Sequence, residues 1–328
     1  MKVASQPARF GALVYGPGAM ATVVDRAKRL ARSRLPLLLT GPSGSGKTAF
    51  ARAIHGASGR SGPFEVVDVP SVAGPLFAAE LLGVVRGAYT DAHASRRGAV
   101  VRAHGGTLFL DEVAECPLPD QARLLKVVEE QHVRPLGSER GEQVDVRLIT
   151  ATREDLAART RSGEFRPDLW SRISGEVLQL PGLSERPGDI ALIAVDWLAC
   201  NAPGVELSVR AAAALTARPW PGEVRQLLQV LERAVALRER PMIEVDDLGD
   251  QARSESPSGS VRRLAGRLGT SEREAGALFR QAMEDAWRVC GSQRAAARSL
   301  GWAWSTWRSR RDEWGVGAPP GLTRGGSR

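Results

Sequence analysis

The residues with the clearest chemistry are GPSGSGKT, positions 41–48, which fit the spacing GxxxxGK[ST]. An apolar run, LPLLLT (35–40), leads into them, and a helical pattern, KTAFARAIHGA (47–57), leads out. That strand–loop–helix context lets main-chain N–H groups converge on a phosphate beside a helix N-terminus. Gly41, Gly44 and Gly46 supply the turns, Pro42, Ser43 and Ser45 complete the loop, and Ala49 follows it into the helix. Lys47 is placed to neutralise β- and γ-phosphates, and Thr48 to ligate Mg2+. Lysine occurs only at 2, 28, 47 and 126, so its presence at this position is informative.

A second set follows about sixty residues later. GGTLFLDE (105–112) is a short apolar strand that ends in two carboxylates. Asp111 at such an end can hold Mg2+, while Glu112 orients an attacking water. VRLITAT (146–152) ends in Thr152, which is placed to sense a γ-phosphate and in isolation reads as a capping residue. Between these sets lies RGAYTDAHASRRG (86–98), a loop of small residues around one aromatic and one acid. Its core is Gly87, Ala88, Tyr89, Thr90, Asp91 and Ala92.

These groups need a scaffold that brings strand ends together. The runs at 35–40, FEVVDV (64–69), 106–112 and 146–152 read as buried strands, and DQARLLKVVEEQ (120–131) as an amphipathic helix. Strands separated by helices predict an α/β fold with a parallel sheet. From about Pro181 the strands are expected to stop. RPGDIALIAVDWLAC, VRAAAALTA and EVRQLLQVLERAVAL then read as three helices of a small helical subdomain. The polar stretch DQARSESPSGS (250–260) has a linker's composition, and the Gly/Pro-rich end reads as a disordered tail.

Composition is that of an ordinary globular chain of 328 residues, 43% hydrophobic and 25% charged. No apolar run is long enough for a signal peptide or a membrane span, which makes the cytoplasm the expected compartment and predicts no membrane partner. Cys116, Cys200 and Cys290 show no paired spacing, against a disulfide framework or a zinc site. Charge is uneven: 14 Arg against 8 Asp plus Glu from position 250 onward leave +6 of the net +8 there. A basic terminal module points to nucleic acid. GSQRAAARSLGWAWSTWRSRR fits two short helices around a turn at Gly301, with Ser305, Thr306, Arg308 and Arg310 as candidate major-groove contacts.

Taken in order, GPSGSGKTAFARAIH, GGTLFLDEVAE, VDVRLITATREDL, FRPDLWSRI, LPGLSERPGDI and WPGEVRQL resemble the AAA+ ATPase domain of the sigma-54-dependent, NtrC-like enhancer-binding proteins. The resemblance runs from about Phe10 to Leu248. The C-terminal segment resembles the Fis-type helix-turn-helix that commonly ends such chains. The resemblance implies an ATPase domain at 1–180, a helical lid at 181–249, a linker at 250–262, a helix-turn-helix domain at 263–316 and a tail at 317–328. It implies ATP and Mg2+ bound between subunits of a ring, usually a hexamer, DNA at an enhancer-like site, and RNA polymerase carrying sigma-54 as partner. Arg166 and Arg172 fall on the motif whose arginines reach a neighbour's γ-phosphate, and Arg225 on the lid arginine that senses nucleotide. GAYTDA aligns with GAFTGA, the loop that grips sigma-54 in this family. With the match starting so early, no sensory domain is expected ahead of it.

The chain also departs from the pattern. Asp68 stands where an Asn normally restrains the catalytic Glu, and a second acid near Glu112 is expected to raise a carboxylate's pKa. Arg153 follows Thr152 in place of the usual Asn or His. In the loop, Asp91 replaces a Gly, and Val84 and Val85 replace a polar His–Glu pair. Three functions are therefore weighed: a remodeller of sigma-54 polymerase, a nucleotide-regulated DNA-binding regulator that does not act on sigma-54, and, ranked last because it would not carry a GAFTGA-like insertion, a replication-initiator or transposition-type AAA+ ATPase.

Overall fold

The computed structural model describes residues 7–72, 74–88 and 94–249, together with Gln293 and Arg311. The chain divides into two compact units, Met1–Leu207 with Leu215–Ile243, and Ser208–Ala214 with Glu244–Arg328.

The first unit is built on five parallel strands: β1 (Leu37–Thr40), β2 (Phe64–Asp68), β3 (Thr107–Asp111), β4 (Arg147–Thr152) and β5 (Glu176–Gln179). Their spatial order is β5-β1-β4-β3-β2. Period-2 alternation sends side chains to two separate cores. Leu37, Leu39, Phe109, Ile149 and Ala151 face one, and Leu38, Leu108, Leu110 and Leu148 face the other. Burial on both faces is why these strands read as continuous apolar runs.

Among the described residues the helices of six or more residues are α1 (Ala19–Leu30), α2 (Lys47–Ala57), α3 (Gly74–Leu82), α4 (Leu118–Glu130), α5 (Leu156–Arg161), α6 (Pro167–Ile173), α7 (Pro187–Asn201), α8 (Val209–Ala217) and α9 (Glu223–Leu237). The first ends against β4: the buried Arg147 guanidinium donates to the carbonyls of Ala31 and Leu30 (the latter at 2.8 Å). A cation placed on the last carbonyls of a helix satisfies groups the helix itself leaves unpaired. An N-terminal hairpin, Ala8–Phe10 with Leu13–Tyr15, packs on the same core as α1 and α2.

The register aligns the C-terminal strand ends. Thr40 pairs with Thr152, and Asp68 with Asp111. In open parallel sheets ligands bind at this edge, and the loops leaving it carry the candidate site. The expectation that strands stop at Pro181 is corrected by a small parallel pair, Glu206–Leu207 with Met242–Ile243. Two residues per strand are too few to show a period. In the second unit the Ser208 hydroxyl donates to Glu244 (2.9 Å). Gln293 and Arg311 are both helical, and the Arg311 guanidinium donates to the Gln293 amide oxygen at 3.2 Å.

Candidate functional site

The loop after β1 turns through three glycines with positive φ: Gly41 (142°), Gly44 (83°) and Gly46 (103°). Space reinforces the need for glycine at two of them. A Cβ on Gly41 would come within 2.6 Å of the Leu180 carbonyl oxygen, and one on Gly44 within 2.5 Å of the Gly222 carbonyl oxygen. Lys47 opens α2 and is only 6% exposed. Its ammonium donates to the carbonyls of Gly41 (2.9 Å) and Pro42 (3.2 Å) and lies 3.9 Å from Glu112. Burial lowers its pKa, and the carboxylates of Glu112 and Asp111 work against that shift.

At the end of β3, the Thr48 hydroxyl donates to Asp111 Oδ2 at 3.0 Å. Adjacent oxygens around an octahedral Mg2+ with bonds of 2.0–2.1 Å lie about 3.0 Å apart. A hydroxyl and a carboxylate at this separation fit the ion in both donor chemistry and spacing. Among the described residues no group of three or more His, Cys, Asp or Glu side chains could hold a metal by itself. The fit is thus to an ion that takes its other ligands from phosphate and water.

Glu112 has a left-handed backbone, φ 53° and ψ 51°, which is costly for a non-glycine residue. Its own amide donates to Asp111 Oδ1 (3.1 Å), and its Oε2 accepts the main-chain N–H of Arg153 (3.1 Å). The carboxylate is therefore held by a backbone amide, independent of which side chain stands at 153. Asp68 is exposed and pairs in register with Asp111, so the position usually held by Asn lies one strand away on the sheet edge.

A cavity of about 570 Å3 adjoins this cluster. Its wall includes Ser43, Gly44, Ser45, Gly46, Lys47, Thr48, Ala49, Asp111, Glu112 and Arg225. Arg225 reaches it from the first turn of α9, where its main-chain N–H points at the Gly44 carbonyl (3.4 Å). Thr152 does not line the cavity. It is fully buried, and its hydroxyl accepts the N–H of Glu154 at 2.9 Å.

Arg166 and Arg172 also lie away from it. The Arg166 guanidinium is exposed and doubly bonded to Asp168 (3.0 and 2.7 Å), and Arg172 lies 4.0 Å from Glu129 at the surface. Of the GAYTDA loop, Gly87 and Ala88 are described, above a stem that pairs Gly83–Val84 with Arg96–Arg97. Tyr89, Thr90, Asp91 and Ala92 lie outside the described residues, as do Ser305, Thr306, Arg308 and Arg310.

Sequence reasoning missed Arg186, which lines the cavity from just before α7. Its buried guanidinium donates to the Ser45 carbonyl (3.0 Å) and lies 3.9 Å from Asp189. Asp189 in turn accepts the N–H of Gly16 at 2.7 Å. Burial lowers the Arg186 pKa and raises that of Asp189. This pair ties the phosphate loop, the N-terminal hairpin and α7 together. The only sequence signal was a charged pair three residues apart at the start of a helix.

Comparison with known proteins matches residues 13–179 to the family described as Sigma-54 interaction domain, and residues 184–264 to AAA+ ATPase lid domain. The transcriptional regulatory protein GlrR of Escherichia coli (strain K12) is 42% identical over 247 residues, 74% of this chain and 55% of that protein. The nitric oxide reductase transcription regulator NorR1 of Cupriavidus necator is 36% identical over 318 residues, 90% of this chain and 60% of that protein. The crystal structure of NtrX from Brucella abortus in complex with ATP superposes with a TM-score of 0.65 at 29% identity, covering 93% of this chain and 69% of that one. The chain spans about half the length of the curated relatives it matches.

Proposed function

The chain belongs to the Sigma-54 interaction domain family, and from that premise we propose that it is an ATP-hydrolysing transcription regulator. In this reading it works as a ring, binds DNA through its basic C-terminal segment and acts on RNA polymerase carrying sigma-54. The observation that carries the proposal is the cluster at the cavity: Lys47, Thr48, Asp111 and Glu112 held within hydrogen-bonding or ion-pairing reach of one another.

Each residue has a role that follows from its chemistry. The loop's N–H groups and Lys47 offset phosphate charge, and Arg225 adds a cation from the lid side of the cavity. Thr48 and Asp111 would hold Mg2+, which when bound supplies charge neutralisation of the phosphate oxygens. Glu112 accepts a proton from water: the Arg153 amide fixes Oε2, which leaves Oε1, 3.9 Å from the Lys47 ammonium, to take it. Arg166 and Arg172 are exposed cations outside their own chain's cavity, as residues serving a neighbour's γ-phosphate must be. The domain limits at 180, 249, 262 and 316 belong to the same proposal.

One sequence observation favours a second reading, a regulator that binds nucleotide and DNA without remodelling sigma-54. The loop carries Asp91 in place of Gly, and its stem places the buried Val84 beside Val85 where a polar pair is usual. Transcription from a sigma-54 promoter separates the two. Activation by the wild type that Lys47→Ala abolishes supports remodelling, whereas activation that appears only with Asp91→Gly supports the second reading.

A further inference from the structure

Gln121 interrupts the apolar stripe of α4 and is nonetheless fully buried. An unpartnered amide in that position would cost several kcal/mol, yet each of its polar atoms is used. Its Nε2 donates to the Cys116 carbonyl (2.9 Å) and to the Glu164 carbonyl (3.0 Å), while its Oε1 accepts the main-chain N–H of Arg166 (2.8 Å). Cys116 closes the short turn Val113–Glu115 that begins at Glu112. One side chain therefore bridges the turn carrying the candidate hydrolytic carboxylate and the segment carrying a candidate arginine finger.

Arg159 on α5 repeats the connection from the other side. Its guanidinium donates to the Ala114 carbonyl (2.8 Å) and pairs with Glu154 (2.5 Å), two residues beyond Thr152. Its own carbonyl accepts the N–H groups of Glu164 (3.0 Å) and Phe165 (3.1 Å). Residues 164–166 are thus pinned along their backbone, with Phe165 buried and the side chains of Glu164 and Arg166 left at the surface.

We propose that Gln121, assisted by Arg159, is the positioning residue of the Arg166 finger, setting the guanidinium offered to a neighbouring subunit from the Glu112 turn of its own chain. Consecutive sites round a ring are then mechanically linked, because movement of Glu112 and its turn is carried to the next subunit's finger. This rests on the ring reading above.

The test uses full-length chains and subunit mixing. Gln121→Met keeps the volume and removes all three hydrogen bonds. Nucleotide affinity should stay within about twofold, since Gln121 does not line the cavity, while kcat falls on the order of 100-fold, as for a displaced catalytic group. Mixing with Glu112→Gln subunits, which keep an intact finger, should restore hydrolysis at the Gln121→Met sites, as it should for Arg166→Ala. Arg159→Met should show the same rescuable defect and stands in if Gln121→Met does not fold. Rescue of Arg166→Ala without rescue of Gln121→Met would overturn the inference and leave the finger intact as a reading. Full activity of Arg166→Ala alone, or its failure to be rescued, would remove the trans finger and this inference with it.

Discussion

Replacing Gly44 by alanine puts the phosphate loop to a quantitative test. Gly44 holds φ at 83°, and an L-residue pays about 1–2 kcal/mol to do so. If that strain is relieved by moving the loop, it weakens nucleotide affinity by about 5- to 30-fold. A second cost comes from space, because the new methyl lies 2.5 Å from the Gly222 carbonyl oxygen. That contact is backbone, so no side chain can swing aside, and the loop must part from the entry to α9. The combined fall in affinity should exceed about tenfold. Gly46→Ala is the natural control: its φ is 103°, but its nearest neighbour is Leu13 Cδ2 at 3.8 Å. It bears the conformational cost without the collision and should bind more tightly than Gly44→Ala. Titration with a fluorescent ATP analogue reads both, and thermal melting shows that the fold persists, with Tm lowered by about 2–8 °C. Gly44→Ala binding within twofold of wild type, or more tightly than Gly46→Ala, would refute the reasoning.

Two other outcomes follow from titratable side chains. His55 on α2 shares a 2.9 Å hydrogen bond with Thr107, and burial, with Arg52, Arg60 and Arg147 nearby, lowers its pKa below the ordinary 6.5. The unfolded chain then takes up the proton first, so this contribution to stability is present above pH 6.5 and is lost as pH falls below it. His55→Gln should flatten that part of a denaturation-versus-pH curve, and an unchanged slope would contradict the assignment. Burial, with Asp120 close by, pushes the Cys116 thiol up to about 12, whereas Cys200 is exposed and lines the cavity. Iodoacetamide at neutral pH should alkylate Cys200 and spare Cys116, with Mg-ATP slowing the reaction at Cys200. Mass spectrometry finding both peptides labelled alike would count against this geometry.

The phosphate loop and its carboxylates were legible in the sequence because their chemistry is local. A glycine loop between a strand and a helix can be read from adjacent residues, and Lys47, Thr48, Asp111 and Glu112 converge as expected. The helix at Lys47–Ala57 and the four strands that precede Pro181 in apolar runs were legible for the same reason. The fifth strand, Glu176–Gln179, was not: it lies at the sheet edge with Val177 exposed, so it lacks a continuous apolar run. Gln121 and Arg186 were also hidden. Their partners lie 45 and 141 residues away, at Arg166 and Ser45, and no periodicity encodes such contacts. Asp68 was expected near Glu112, and the register sets it opposite Asp111, the residue before Glu112. Thr152 makes a local hydrogen bond to the Glu154 N–H but caps no helix, since the N-cap of α5 is Asp155.

The most direct test of the central claim, that this cavity hydrolyses ATP with Glu112 as the water-orienting base, is ATP binding and turnover by Glu112→Gln beside the wild type. The amide keeps the size of the side chain and its acceptor for the Arg153 N–H, but it no longer takes a proton. Binding should remain within twofold while turnover falls by at least about 100-fold. Turnover at the wild-type rate would contradict the account.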